Sequence, residues 1–323
     1  MFRFRRATAL SAALLLTLAA CGDDSTSSDP TTPPATVAAT APASAAPAES
    51  PATEAPPATA TADIPEAIVS LSPSATEILF AIGAGDQVIA VDDQSNYPPE
   101  AEAKMTDLSG YTPNVEAIAA LGADLVVHDG STDLGGQLDG LGIANWVGSA
   151  AMTFDDIYAQ IEQLGVATGH IGEAAELVGQ MQADIDAAVA ANPTLEQPLS
   201  FYHELDPTFF SVTSNTFIGQ VYGLFGLRNI ADTAEGGTDY PQLSAEFIIS
   251  QNPDLVFLAD GKCCGESVDS VKARAGWDVI GAVSTGGVIV VDDDIASRWG
   301  PRVVELVQII GAAVTEAAAL SAA

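Results

Sequence analysis

Two glutamates stand at matching points of a pattern that the chain writes twice, 130 positions apart. Val115-Glu116-Ala117-Ile118-Ala119-Ala120-Leu121-Gly122-Ala123-Asp124-Leu125-Val126-Val127 aligns with Ala245-Glu246-Phe247-Ile248-Ile249-Ser250-Gln251-Asn252-Pro253-Asp254-Leu255-Val256-Phe257. Each acid falls in the first turn of a short helix, where its charge complements the helix dipole by roughly 0.3–1 kcal/mol. Two charges at a fixed separation can also act as a gauge that only a partner of matching spacing satisfies. His128 and His203, two of the three histidines, each follow a buried strand. Facing one cleft they could ligate haem iron or a transition metal; singly they could be structural. A dedicated metal receptor would bring more His and carboxylate ligands together, so no metal centre is expected. Cys263 and Cys264 are adjacent and either close a vicinal disulfide or stand as two thiols in a loop. No second Cys pair supports zinc ligation.

These residues need elements to position them. Each copy of the pattern reads as a helix, a polar break and an apolar strand opened by Asp-Leu-Val, the unit of a parallel α/β sheet. Two distant copies imply two similar lobes, and ligands bind in the cleft between lobes. Ile68 to Leu71 reads as a strand. Ser74-Ala75-Thr76-Glu77 then has capping-box spacing, with Ile78, Leu79 and Ile82 on one helical face until Gly83 and Gly85. Further strands are predicted at 88–91, 124–127, 146–147, 199–202, 255–258 and 288–291. Leu177, Met181, Ile185 and Val189 recur every four residues, a long amphipathic helix closed by Asn192-Pro193. Gly300-Pro301 opens a last helix with the stripe Val304, Val307, Ile310 and Val314.

The expected fold class is therefore α/β: two Rossmann-like lobes with parallel-rich sheets, joined by a long rigid helix, with the ligand cleft between them. The expected boundaries are 64–168 for the N-lobe, 169–193 for the connecting helix and 194–323 for the C-lobe. Closure against a stiff rod should be small. Loops after the strand ends should line the cleft. They offer Asp92, Asp93, Gln94 and Tyr97; Tyr111; His128 and Asp129; Tyr202, His203 and Glu204; Tyr240; and Arg298 with Trp299. The aromatic faces could stack on a corrin, a porphyrin or a siderophore, or could equally be packing.

The ends of the chain set the location. Arg3, Arg5 and Arg6 precede an apolar run, Ala7 to Ala20, that is too short to span a bilayer. It ends in Leu18-Ala19-Ala20-Cys21-Gly22, which resembles a bacterial lipobox, so 1–20 is expected to be a lipoprotein signal peptide and Cys21 its lipidated residue. From Gly22 to Asp63 the chain is almost entirely Ala, Pro, Thr, Ser and acidic residues, so 21–63 should be a disordered tether. Its reach would be roughly 35 to 130 Å. The protein should sit outside the cytoplasmic membrane, touching it through the lipid anchor alone. The formal net charge is −33, and loss of the three leader arginines makes it −36. No basic patch remains, which excludes nucleic acid as an expected partner.

The motifs together resemble a known family. Ile68-Val69-Ser70-Leu71-Ser72-Pro73-Ser74-Ala75-Thr76-Glu77, Asn96-Tyr97-Pro98-Pro99 and Gly110-Tyr111-Thr112-Pro113-Asn114 look like the vitamin B12 and ferric-siderophore binding proteins of ABC importers. So do Phe217-Ile218-Gly219, Asn229-Ile230-Ala231-Asp232 and Trp299-Gly300-Pro301-Arg302. The resemblance implies a rigid, two-lobed, monomeric receptor that delivers a ferric siderophore, cobalamin or haem to a permease and its ATPase. It also implies that Glu116 and Glu246 meet permease arginines. It carries no catalytic residue and no resident cofactor. A haem- or transition-metal-binding receptor of the same fold is one alternative. An exported lipoprotein hydrolase using Asp92, Asp93 or His203 is the other, although no Gly-x-Ser-x-Gly elbow, His-Glu-x-x-His or P-loop occurs in the chain.

Overall fold

A computed structural model describes residues 64–321. The expected leader, the lipidation site Cys21 and the tether to Asp63 lie outside the described residues. Strands β1 (Ile68–Leu71), β2 (Val88–Val91), β3 (Leu125–His128) and β4 (Ala144–Val147) form one four-stranded sheet in the order β2-β1-β3-β4. Strands β5 (Ser200–Glu204), β6 (Arg228–Asn229), β7 (Leu255–Leu258) and β8 (Val288–Val290) form a second in the order β6-β5-β7-β8. The two orders are the same, and every pairing is parallel. The duplicated pattern thus builds duplicated lobes. Strand β6 carries only Arg228 and Asn229 and has no apolar run for sequence reasoning to find.

The helices, in chain order, are α1 (Pro73–Ala81), α2 (Pro99–Glu102), α3 (Val115–Ala120), α4 (Leu134–Leu141), α5 (Phe154–Thr168), α6 (Ile171–Ala190) and α7 (Phe217–Gly223). They continue as α8 (Ala245–Gln251), α9 (Gly261–Cys264), α10 (Val268–Ala273), α11 (Gly281–Thr285), α12 (Asp293–Ser297) and α13 (Val303–Ser321). Strands β1, β3, β5 and β7 are buried at every position, as parallel strands covered on both faces must be.

Because side chains alternate along a strand, each sheet feeds two cores. Val69, Leu71 and Val126 point outward to Ile118 of α3 and Leu134 and Leu138 of α4. In the other lobe Tyr202, Val256 and Leu258 meet Ile248 of α8, Val271 of α10 and Trp277. The inward residues share a single core. Ile68 and Val127 pack with Leu79 and Ile161, which adjoin Met181 and Ile185 of α6, then Phe201, Phe257, Val307 and Ile310 on the far side. The connecting helix is therefore part of a hydrophobic core continuous from one lobe to the other, and each fully buried Ile, Leu or Phe in it contributes about 1.5–3 kcal/mol.

The buried stripe of α6 is Ala174, Val178, Met181 and Ile185, turned by one position from the predicted one, with Leu177 and Val189 at its edge. Its buried small residue Ala174 carried no signal in a search for large apolar side chains. Helix α13 is long and apolar enough to cross a membrane over Val303–Leu320, yet Val303, Leu306, Val307, Ile310 and Val314 are buried in the shared core. That makes it a core helix by packing.

Candidate ligand-binding site

In a parallel sheet the helix leading into a strand runs antiparallel to it, so its first turn lies beside the strand's C-terminal end. Helices α3 and α8 lead into β3 and β7 in this way. Asn114 caps α3 by accepting the Ala117 amide at 3.0 Å, and Ser244 caps α8 by accepting the Phe247 amide at 3.1 Å. Glu116 and Glu246 follow these caps at equivalent, exposed positions. Neither carboxylate has a hydrogen-bond or ion-pair partner among the described residues.

The loops that enter these two caps carry Tyr111 and Tyr240, which are 75% and 53% exposed. The first loop presses against the end of β1 at Gly110. A Cβ there would stand 2.6 Å from the Leu71 carbonyl oxygen, so the approach needs glycine. The second loop is pinned by the Ser211 amide donating to the Pro241 carbonyl and the Thr213 amide donating to the Asp239 carbonyl, each at 2.9 Å. Two exposed aromatic rings on anchored backbone thus occupy corresponding places in the two lobes. Phe210, 37% exposed, joins the second loop through a bridge to Gln242; sequence reasoning passed over it because it follows a strand end by several residues.

The seam between the lobes is clasped on two sides. On one, the Glu77 carboxylate, 1% exposed, accepts from Arg298 Nη1 at 2.9 Å and from Arg302 Nε at 2.8 Å and Nη2 at 2.5 Å. Arg298 also donates to Asn96 Oδ1, the Gln94 carbonyl and Asp294. On the other, the rings of Phe154 and Phe217 meet edge-on at 5.4 Å and Gln220 Nε2 donates to the Met152 carbonyl at 2.7 Å. Arg298 was expected as a cleft cation; its fork is instead saturated inside the seam. Trp299 packs against the shared core rather than standing free. Tyr97 is 41% exposed and lies under the Arg302 guanidinium at 4.2 Å, while Gln94 is exposed beside it. A cavity of about 830 Å³ runs along α1 between Phe80, Pro98, Lys104 and Pro301; neither Tyr111 nor Tyr240 lines it.

Three further expectations need correction. Tyr202 and His203 have no exposed surface. Tyr202 donates to Glu204 Oε2 at 3.1 Å in the outer core, and His203 Nδ1 lies 2.8 Å from the Tyr222 hydroxyl in the inner one. Burial holds the His203 imidazole neutral, its pKa lowered to about 4, and leaves it no face from which to act on a substrate or an iron. His128 is buried as well, with Nδ1 accepting the Gly130 amide at 3.2 Å and Nε2 facing Asn145 Oδ1 at 3.4 Å. The reason is common to all three: they belong to the strands, not to the loops after them. Asp92 is likewise buried, which raises its carboxyl pKa, and accepts the Gln94 amide, whereas Asp93 is exposed. Among the described residues no three His, Cys, Asp or Glu side chains are grouped to hold a metal ion.

The adjacent Cys263 and Cys264 are joined as a vicinal disulfide in α9. Beneath that turn lies a charge cluster. Arg274 donates to both oxygens of the fully buried Glu204 at 2.7 and 2.5 Å and to Glu266 at 2.7 Å, and stacks over Trp277 at 4.5 Å. Asp260 shares this site, fully buried, with neither carboxyl oxygen hydrogen-bonded. Burial and the charges of Glu204 and Glu266, opposed by Arg274, push its pKa up to about 7. The folded state thus binds a proton that the unfolded chain releases near 3.8. Asp260 contributes stability that is present below about pH 4 and is lost as pH rises toward 7. Asp260→Asn should raise the melting temperature at pH 8 by at least roughly 2–4 °C, about 1 kcal/mol for a domain this size, with a smaller gain at pH 5. Equal shifts at both pH values, by calorimetry, would show that the carboxyl does not titrate in this window.

The geometry of a pair of equivalent lobes with a common core is matched by known proteins. Residues 68–295 match the family described as Periplasmic binding protein. The chain is 32% identical over 253 residues to an uncharacterized ABC transporter substrate-binding lipoprotein of Bacillus subtilis, covering 76% of this chain and 78% of that one. It is 32% identical over 256 residues to the cobalamin-binding protein of Halobacterium salinarum, covering 75% and 67%. Among solved structures, the periplasmic vitamin B12 binding protein of Vibrio cholerae superposes with a TM-score of 0.63 at 26% identity, covering 79% of this chain and 99% of that one. The periplasmic heme-binding protein of Roseiflexus gives 0.70 at 25% identity, covering 78% and 99%. The chain belongs to the periplasmic binding protein family, in the form whose two lobes are joined by a helix.

Proposed function

We propose that this protein is the extracytoplasmic binding component of an ABC importer, held to the membrane through a lipid on Cys21, and that its ligand is a cobalamin-type corrin. The observation that carries this reading is the pair Tyr111 and Tyr240, exposed at equivalent places in the two lobes. One exposed aromatic ring from each lobe suits a flat macrocycle. The seam supports the choice among macrocycles. Arg298 is held by Glu77, Asn96, the Gln94 carbonyl and Asp294, Arg302 is paired with Glu77, and Lys262 is paired with Asp292 and Asp294. A haem carries two propionates and a ferric siderophore is often anionic, and both would draw on free cations. Haem also loses the histidine iron ligand that His128 or His203 would have supplied. A corrin of little net charge needs neither. The relatives named for cobalamin or vitamin B12 point the same way.

Titration of the protein with cyanocobalamin, followed by tryptophan fluorescence, should saturate well below millimolar, where the binding free energy is only about 4 kcal/mol. Tyr111→Ala and Tyr240→Ala should each weaken it about tenfold or more, as expected for an aromatic anchor losing over 1 kcal/mol. Saturation by haemin alone would overturn the corrin assignment in favour of haem held by an exposed tyrosine.

Glu116 and Glu246 complete the reading as the two points that meet permease arginines. They project from equivalent helix starts, exposed and unpaired, at a separation fixed by the shared core. Changing both to Ala should cripple cobalamin uptake normalised to surface level while leaving ligand affinity within a few-fold, and changing both to Arg should be worse, because like charges across an interface cost several kcal/mol. Unimpaired normalised uptake would reduce them to helix-dipole partners.

A further inference from the structure

The vicinal disulfide lies one step from the seam. Only two residues separate the end of β7 from the start of α9, so Cys263 and Cys264 stand at the C-terminal edge of the second sheet, both exposed. The amides of Lys262 and Cys263 donate to the Asp293 carboxylate at 2.8 to 3.1 Å. Lys262 Nζ donates to Asp292 and Asp294, each at 2.8 Å. Asp294 then accepts from Asn96 of the other lobe at 3.1 Å and from Arg298 at 2.8 Å, and Arg298 reaches Glu77. A continuous hydrogen-bonded path therefore runs from the disulfide turn to the interlobe clasp. The turn's own backbone bonds run from the Cys264 and Glu266 amides to the Asp260 carbonyl at 3.2 and 3.4 Å, while the Asp260 side chain makes no capping bond, its carboxyl turned into the buried cluster.

We propose that Cys263–Cys264 is a reversible thiol–disulfide site whose redox state sets how firmly the lobes are clasped, and through that, resting on the binding-protein reading above, how tightly ligand is held. Exposed disulfides are the labile class. The reductant is an exported dithiol. One of its thiolates attacks a cysteine sulfur, the S–S bond breaks and a mixed disulfide forms. Its second thiolate then displaces the remaining cysteine. Cys263 and Cys264 end as thiols after taking up two protons, and the reductant leaves as its own disulfide. Adjacent bonded cysteines close a small ring that fixes the backbone of the turn. Opening the ring frees the Lys262 and Cys263 amides to leave Asp293, and the path to Asn96 and Arg298 loosens.

The test uses the full chain carrying Cys21→Ser, so that only the pair is counted. Native treatment with dithiothreitol should raise the titratable thiols from none to two. Hydrogen exchange at residues 92–97 and 292–298 should then quicken several-fold. The Cys263→Ser, Cys264→Ser double variant should exchange like the reduced protein and ignore the reductant. Cyanocobalamin should bind the reduced and double-variant forms several-fold more weakly than the oxidised one. Thiols that appear only after denaturation, or exchange that is the same in all three forms, would overturn the proposal. Should cyanocobalamin bind none of the forms, the corrin reading fails on its own and the exchange comparison still decides the redox site.

Discussion

A single carboxylate organises the space in which this protein can hold a ligand. Glu77 sits on α1 with almost no exposed surface and takes three charge-assisted hydrogen bonds from Arg298 and Arg302. Such bonds are roughly twice as strong as neutral ones, and removing one member of a buried pair costs about 3–5 kcal/mol because the other is left uncompensated. The consequence for the site is subtractive. Two arginines that would otherwise give the cleft an anionic preference are turned inward, and Arg298 carries Gln94, Asn96 and Asp294 with it. Exposed Tyr111 and Tyr240 remain in the loops that enter α3 and α8.

The second constraint is the core. The inward faces of both sheets, α5, α6, α7 and α13 pack as one hydrophobic cluster, so the lobes share buried surface and α6 serves as an internal wall more than as a tether. Packed interiors have low compressibility and transmit strain. Hinged two-lobe receptors separate at loops; here separation would tear the cluster and unseat the Phe154 and Phe217 rings. The fixed core also fixes the distance between Glu116 and Glu246, as the proposed docking role requires.

Much of this was legible in the sequence. The duplicated Asp-Leu-Val strands, the apolar runs at 68–71 and 255–258 and the four-residue period of α6 all reflect burial, and burial writes itself as periodicity. Charge pairing does not. Glu77 looked like the last member of a capping box, although an acid between Thr76 and Ile78 on a helix with a buried face is a signal of a buried partner. Arg298 looked like a ligand contact because nothing in its neighbours reveals a glutamate 221 positions away. The expected strand ended at Tyr202, two residues short: β5 runs to Glu204, and a polar His-Glu end reads as a loop unless the Arg274 that neutralises it is known. Tyr111 and Tyr240 were expected because loops after strand ends line a cleft, and both rings are exposed in such loops.

The central claim is that the two lobes move as one body, with ligand capture by a preformed cleft. The direct measurement is the distance between spin labels placed on the outer helices of the two lobes, at Gln137→Cys and Lys272→Cys, read by pulsed electron resonance with and without cyanocobalamin. One narrow distribution is predicted for the free protein, moving by no more than about 2 Å on binding, the scale on which packed helices slide. A broad distribution in the free protein, or a shift several times larger on binding, would contradict it.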